Sequence, residues 1–409
     1  MKNIIFIFFA LSFFQSFSQE KKRDLKIYLD CDFCDQTYIK QNLHNVSFVR
    51  DQNDSDVHLF FIRQRNGSGG SEYEVEFNGK NTFSDLQDKI KFSTNTNMTE
   101  DDIRKLIFKN IQLGLVRFWL KQGNIDNLSI TIKSPKKDAT KTVVKDPWNS
   151  WVFQLGARGW FNGQETSKRR NLNFSVSAKR VTEKNKFSFR TGVSNNTSEF
   201  SYNNNVIISK NKRKYINISD IISVSDHWSA GAYFNVGTST FSNKDLYWSF
   251  KPAIEYNFFK YSESAKKQLV ISYKIGRVHH NYTETTIFNK TKETLWEHNL
   301  LLGGSVKQKW GNIFAEVSLE QFLHDMELKE ISFFLGTSIR LFKGFSFNIN
   351  GGYDITNNQI ELAAGNVSLE ELLLQQQQLK SGYNYFFNVG FSYSFGSIYN
   401  TIVNPRFNF

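Results

Sequence analysis

From about residue 148 onward, apolar and polar residues alternate with a period of two in a series of segments, the pattern of strands with one apolar and one polar face. In the second segment Leu172, Phe174, Val176 and Ala178 oppose Asn173, Ser175, Ser177 and Lys179. In the third, Phe187, Phe189 and Val193 oppose Ser188, Arg190 and Ser194. About twelve such segments fit between 151 and 395, the tenth near 330–341 and the last at 383–395. The fourth is ambiguous, because Asp220 falls in register with Ile216, Ile218 and Ile222. Residues 20 to 133 follow another rhythm: a short strand from Leu25 to Leu29, a helix capped by Asp35 and running to Leu43, then a strand from Val46. A hairpin turns at Asn66-Gly67-Ser68-Gly69-Gly70, a further strand spans Lys89 to Ser93, and a long helix starts at Thr99-Glu100-Asp101-Asp102 and runs to Leu120. That order predicts one α+β domain with its own core. Between the two halves, SPKKDATKTVVKDP (134–147) reads as a linker, about 40 Å long when extended.

The last segment carries the clearest signal. Tyr385, Phe387, Val389, Phe391, Tyr393 and Phe395 share one face, and Asn388, Gly390, Ser392 and Ser394 the other. Asn388, Gly390, Tyr393 and Phe395 stand where the closing-strand signal of outer-membrane barrels has its polar residue, glycine and two alternate aromatics, and the run resembles that signal. The predicted fold is therefore an α+β periplasmic domain followed by an antiparallel transmembrane β-barrel of about 12 strands, spanning 148–395, with a tail at 396–409. No stretch after residue 18 is long and apolar enough to span as a helix.

The N-terminus reads as a secretory signal peptide over 1–18: Lys2, an apolar run from Ile4 to Phe14, then Ser16 and Ser18 before a cut at Gln19. An exported chain with 40 Phe and 16 Tyr, a mean hydropathy of −0.45 and only 4 Pro fits alternating strands with hydrocarbon outside. Even strand parity puts both barrel ends on the side of the soluble domain, the periplasm. Short turns are then expected near 183–185, 226–227, 262–266, 309–310 and 343–344. Longer outer loops are expected near 163–170, 197–212, 239–245, 281–293, 323–329 and 355–382. The last of these holds a capping box, Ser368-Leu369-Glu370-Glu371, and so a helix of about three turns.

A formal charge of +12 would suit nucleic acid, but an exported chain does not meet it. The expected partner of Lys168-Arg169-Arg170 and of Lys210 to Lys214 is the phosphate of lipopolysaccharide in outer-membrane lipid. Barrel-assembly machinery and a periplasmic protein are further expected partners. Charges on the polar face, Arg158, Lys179, Arg190, Lys251, Glu255, Lys274, Glu316, Glu320 and Arg340, are candidates for an internal ion-pair network or for a solute path through the lumen.

Cys31 and Cys34, spaced C-x-x-C in an oxidising compartment, favour a structural disulfide over a redox pair, since no proline follows before Pro135. Asp30, Asp32, Asp35 and His44 or His58 could ligate a metal, but their spacing matches no known site. No cofactor motif appears. Enzyme motifs are equally weak. His227-Trp228-Ser229 falls at a turn, and Glu316 and Glu320 lie about 13 Å apart along a strand.

The N-terminal order of elements resembles the small periplasmic α/β domains of TolB-like and CsgG-like envelope proteins. The segments YLDCDFCDQTYI, RDQNDSDVHLFF and LGLVRFW, with FGSIYN and VNPRF near the end, resemble a family of two-part envelope proteins. The resemblance implies an architecture and no activity. The function expected from the sequence is a non-catalytic barrel that anchors a periplasmic interaction domain, with an outer-membrane channel for a small solute as the alternative.

Overall fold

The structure, a computed structural model, describes residues 24–123, 146–202, 205–365, 378–397 and 406. The expected signal peptide, nearly all of the linker, the helix expected after Ser368 and most of the tail lie outside those residues.

The first part is a mixed sheet with two helices. Its elements are β1 (Leu25–Asp30), α1 (Gln36–Asn42), β2 (Val46–Phe48), β3 (Val57–Arg65), β4 (Ser71–Gly79), β5 (Gln87–Ser93) and α2 (Glu100–Lys121). Asp35 starts α1 by accepting from the Tyr38 amide at 2.9 Å. Thr99 and Asp102 cap α2 reciprocally. The strand order is β2-β1-β3-β4-β5, with β1 parallel to both neighbours and the rest antiparallel. One face of this sheet, with Ile27, Leu59, Phe61, Val75 and Phe77, packs on Ile107, Ile111, Leu115 and Phe118 of α2. Gly114 lets α2 approach, because a Cβ there would lie 2.0 Å from Phe77 Cζ. The other face presents Tyr28, Asp30, His58, Phe60, Ile62, Glu74, Glu76 and Asn78 by alternation.

The second part is one antiparallel sheet of twelve strands in simple meander order. They are β6 (Trp151–Gln164), β7 (Ser167–Val181), β8 (Asn185–Tyr202), β9 (Asn205–Ser223), β10 (Trp228–Ser239) and β11 (Lys244–Asn257). Then come β12 (Lys267–Tyr282), β13 (Lys292–Gln308), β14 (Gly311–Phe322), β15 (Lys329–Phe342), β16 (Phe345–Thr356) and β17 (Tyr383–Tyr393). The strand count follows the sequence expectation, and from β12 onward so do the short near-end turns and longer far-end connections. Two features do not. First, the ladder runs from β6 to β17 with no pairing between those two strands among the described residues, so the sheet is barrel-like without a closing ladder. Second, the outer loops expected at 163–170 and 197–212 shrink to tight connections, because β7 starts at Ser167 and β8 continues to Tyr202 opposite β9. Lys168-Arg169-Arg170 and Lys210 to Lys214 therefore stand in strands, not loops. Charged side chains do not stop a ladder whose backbone groups are all paired.

This sheet is inverted relative to a soluble one. Its apolar side chains are bare, as Leu155 (80 % exposed) and Phe391 (68 %) show, whereas Glu297 (5 %) and Ser272 (6 %) on the polar face are covered. Aromatic rings gather at the end of the apolar face nearest the first domain: Trp151 with Phe187 at 5.5 Å, Trp228 with Tyr256 at 4.7 Å, Phe342 with Phe345 at 4.7 Å. A second group, including Tyr353 and Tyr383, marks the far end. Asp220 lies on the apolar face, close to the near-end turn, where Asn185 Nδ2 donates to its Oδ1 at 2.6 Å.

At the far end, the residues just after β16, up to 365, fold inward. Ile360 packs on Val278 and Phe322, Leu362 O accepts from the Ile287 amide, and Ala363 bridges to Thr286.

The two parts have separate apolar cores, which gives a direct test. Gly114→Val forces Phe77 aside and costs about 1–3 kcal/mol, as overpacking does. Amide exchange should accelerate in α2 and β4 and stay unchanged in β7 to β16; equal acceleration in both parts would contradict separate cores.

Candidate functional site

The polar face of the first sheet would be left bare by its own helices. It is covered instead by the near-end turns of the twelve-stranded sheet. Asp30, at the end of β1, accepts from both terminal nitrogens of Arg340 at 2.8 Å each. Asp30 Oδ2 also lies 3.0 Å from His58 Nε2. A carboxylate can only accept there, so His58 carries its proton on Nε2 and its buried Nδ1 has no partner. The Arg340 guanidinium sits 5.3 Å above the Tyr28 ring, and Tyr28 meets His58 edge-on at 5.1 Å. A carboxylate, an imidazole, a phenol and a guanidinium from two separate parts of the chain thus share one contact.

Similar pairs surround it. Lys266 reaches Glu74 at 3.0 Å and also bonds Glu76. Lys309 donates to Asn78 Oδ1 at 2.7 Å, and Lys343 meets Asp54 at 2.6 Å. Lys307 lies over the Phe33 ring. Arg50 donates to the carbonyls of Phe395 and Gly396, just past the end of β17. Across the sheet, Gly67 rests on the end of β7, where an added Cβ would come within 2.6 Å of Val181 Cβ. The contacts thus run from the β7 end of the ladder through the β11–β12, β13–β14 and β15–β16 turns to β17. Phe60 and Ile62, which lie outside the helix-side core, are buried on this same face.

Burial pushes the Asp30 carboxyl up, but the hydrogen bonds from Arg340 and His58 overcome that and hold it at about 2, below its ordinary 3.8. Burial lowers His58, against the pull of Asp30, and pushes Tyr28 up to about 12 despite Arg340. Burial also works to lower Lys266, but Glu76 and Glu74 raise it overall.

The sequence-predicted residues fall into distinct places. Cys31 and Cys34 are joined by a disulfide between β1 and α1, with Cys31 in the domain core. Of the acids and histidines considered as metal ligands, Asp30 and His58 come together, with Arg340 as their third member. On the polar face of the large sheet, Lys251 pairs with Glu297. Glu255 accepts from Tyr261 Oη, which in turn accepts from Ser229 at 3.0 Å. Lys274 lies 4.6 Å from the Tyr233 ring centroid, and Arg190 lies over Tyr215. Glu316 and Glu320 are half-buried on that face, while Arg158, Lys179 and Arg190 are exposed. Arg340 lies on the same face but at its near end, where it serves the junction and not the interior. Asn388 and Gly390 face Asn350 and Asn348 of β16, and Tyr393 pairs with Phe345. Phe395 lies just beyond β17, against the domain. The partners Glu297, Glu74, Glu76 and Asp54 carry no sequence signal of their role. Alternation places Glu74 and Glu76 on one strand face, but nothing local tells which face meets a distant turn.

The chain matches no protein-family profile and no curated protein sequence. Among solved structures it is similar to the NanC porin in a rhombohedral crystal form, at 10% identity over 59% of this chain and 100% of that one, with a TM-score of 0.29. It is also similar to the translocator domain of the autotransporter NalP from Neisseria meningitidis, at 12% identity over 60% of this chain and 87% of that one, with a TM-score of 0.26. Likeness at such scores carries no weight of its own; the weight lies with the residues of the chain itself.

The junction should loosen in acid. Asp30 stays ionised, and its contribution is fully present, above about pH 4; it is lost as pH falls through about 2, a change of about 2 kcal/mol. His58, lowered from 6.5, acts in the same direction: its neutral form stabilises the fold above that pH, and protonation in acid weakens it. Asp30→Ala or Arg340→Ala should each weaken docking by about 2–3 kcal/mol, and the double variant by little more, because the second loss removes an already orphaned charge. Amide protection in β1 and in the β15–β16 turn reads the effect; additive losses would contradict a shared contact.

Proposed function

We propose that the twelve strands from Trp151 to Tyr393 form an outer-membrane β-barrel and that residues 24–123 form a periplasmic domain held against its inner mouth. One observation carries the reading: bare aromatic side chains outside and covered charges inside, an arrangement stable in hydrocarbon and unstable in water. The two aromatic groups on the apolar face fit the two membrane interfaces. Unpaired backbone groups on β6 and β17 would be costly in lipid, so in the membrane those strands pair with each other. No helix among the described residues is long and apolar enough to cross, and strands need none. The basic stretches of β7 and β9 lie toward the far end, where lipopolysaccharide phosphates would meet them.

In this reading the protein is a non-catalytic anchor that presents its domain in a fixed orientation. The sheet face of that domain is spent on the barrel, which leaves the helical side, with Leu113 and Leu120 of α2 exposed, for a periplasmic partner in envelope assembly or export. The mixed sheet with both helices on one side suits a TolB-like or CsgG-like interaction domain. A channel for a small solute is the second reading, favoured by the polar interior around Lys251, Glu255 and Lys274.

Two measurements decide. The chain should fractionate with outer membranes and require detergent for extraction; recovery from the soluble fraction would end the barrel reading. In planar bilayers the intact protein should give no steady current, and Arg340→Ala should add intermittent openings. Steady current from the intact protein would favour the channel over the anchor.

A further inference from the structure

The two basic stretches of the far end are split by strand parity. On β9, Lys210, Lys212 and Lys214 alternate with Asn211 and Arg213, so the three lysines share one face of the sheet. That face is the bare apolar one, because Ile208, Ile216 and Ile222 stand on it and are exposed. On β7, Arg170 stands on the same face as Phe174 and Val176, both exposed. Arg169 and Arg213 belong to the inner face. The ladder gathers the outward cations: Arg170 stands opposite Thr197 and Thr197 opposite Lys210, while Asn195 stands opposite Lys212.

Arg170, Lys210, Lys212 and Lys214 are all exposed, and none forms an ion pair among the described residues. The next row outward carries a carboxylate, Glu199, but it lies 3.5 Å from Lys168. Below the cations the face is apolar at once, since Lys214 shares its row with Val193 and Phe174. From Ile222 to Lys214 the strand rises about 26 Å, or about 20 Å along the membrane normal at the usual tilt, close to the height of a barrel's apolar band. The cations therefore begin where hydrocarbon ends. An inorganic anion would meet them and leave Phe174, Val176 and Ile216 bare; a molecule with both anionic groups and acyl chains suits the whole face.

We propose that this outer face binds a lipid whose headgroup carries two separated phosphates. One phosphate lies between Arg170 and Lys210, where the Thr197 hydroxyl can donate to it as well. The other lies between Lys212 and Lys214, about 10 Å from the first by strand spacing and rise. The acyl chains run down over Phe174, Val176 and Ile216. A headgroup with one phosphate fills one position and leaves the other pair of cations unneutralised. This binding rests on the barrel reading, which puts the far end in the outer leaflet, and it assigns no part to Arg169 or Arg213.

The test uses the purified full chain in neutral detergent with a chelator present, so that no divalent ion bridges the phosphates. Bisphosphorylated lipid A, monophosphorylated lipid A and phosphatidylglycerol are each titrated by microscale thermophoresis. The first should bind at least tenfold tighter than the other two. Combined Lys210→Gln, Lys212→Gln and Lys214→Gln should abolish that preference, and the same three positions changed to Arg should keep it. Arg169→Gln and Arg213→Gln, from the same stretches but the inner face, should leave affinity within twofold. Equal affinity for one and two phosphates would overturn the two-phosphate assignment. Losses from the inner-face variants as large as those from the lysines would overturn the assignment to the outer face. Heat-modifiable gel mobility shows that each variant is folded, and the Lys→Arg set separates lost charge from lost structure. An intact chain that fractionates with outer membranes yet binds none of the three lipids sinks this site alone; an intact chain in the soluble fraction sinks the barrel reading and the site with it.

Discussion

A sheet that covers Glu297, Ser272 and His280 while leaving Leu155, Phe161 and Phe391 bare needs surroundings less polar than its own interior. In water, burying polar atoms without full partners and exposing aromatic ones would both oppose folding. In hydrocarbon the signs reverse for the outer side chains, and the antiparallel ladder satisfies the backbone of every strand between its two edges. On the membrane reading, that reversal accounts for what the twelve strands share: period-two alternation, scarcity of proline, rings at both ends, and polar side chains that find one another on the inner face.

The same reversal creates the junction. On the proposed membrane reading, a wall whose outer surface meets lipid must place its charges at its ends or inside. At the near end those charges are mostly cations, Lys266, Lys309, Arg340 and Lys343, set in or beside short turns. The small domain solves the complementary problem. Its helices cover only one side of a five-stranded sheet, and the other side carries Asp30, Glu74 and Glu76. A free acidic sheet face and a free basic rim are each tolerable in water, but together they let Phe60 and Ile62 be buried as well. Apolar burial at about 25 cal/mol per Å² then adds to charge pairing that alone would be weak at a wet surface.

How much of this is legible in the sequence depends on range. Local signals suffice where a single segment contains its own reason: Asp35 and Thr99 as caps, Gly67 to Gly70 as a hairpin turn, and the alternation that gives twelve strands. They fail where the decisive partner is remote. Arg340 reads as one more charge on a polar face, and only the fold brings it to Asp30, 310 positions earlier. The connections after β6 and β8 are tighter than composition suggests, because Lys168-Arg169-Arg170 and Lys210 to Lys214 look like loop sequence. Inter-strand pairing such as Arg170 with Thr197, not composition, keeps them in the ladder. The aromatic face of β17 leads one to expect closure onto β6, and that pairing is absent from the described ladder. A face pattern specifies what a strand meets on its side, not what pairs with its edge.

The two ends of the wall use one device. At the near end Asp30, Glu74, Glu76 and Asp54 come from outside the wall to meet its cations; at the far end Glu361 does the same to Lys244. Inside, by contrast, the wall supplies both partners, as in Lys251 with Glu297. Internal pairs hold the wall together whatever its mouths do, whereas the end pairs vanish when their covers leave. Wet, partly exposed ion pairs are screened by salt and buried ones much less. Lys343 with Asp54 and Lys266 with Glu76, whose lysines are the more exposed, are therefore the pairs that added salt weakens first, and Lys251 with Glu297 is among the last.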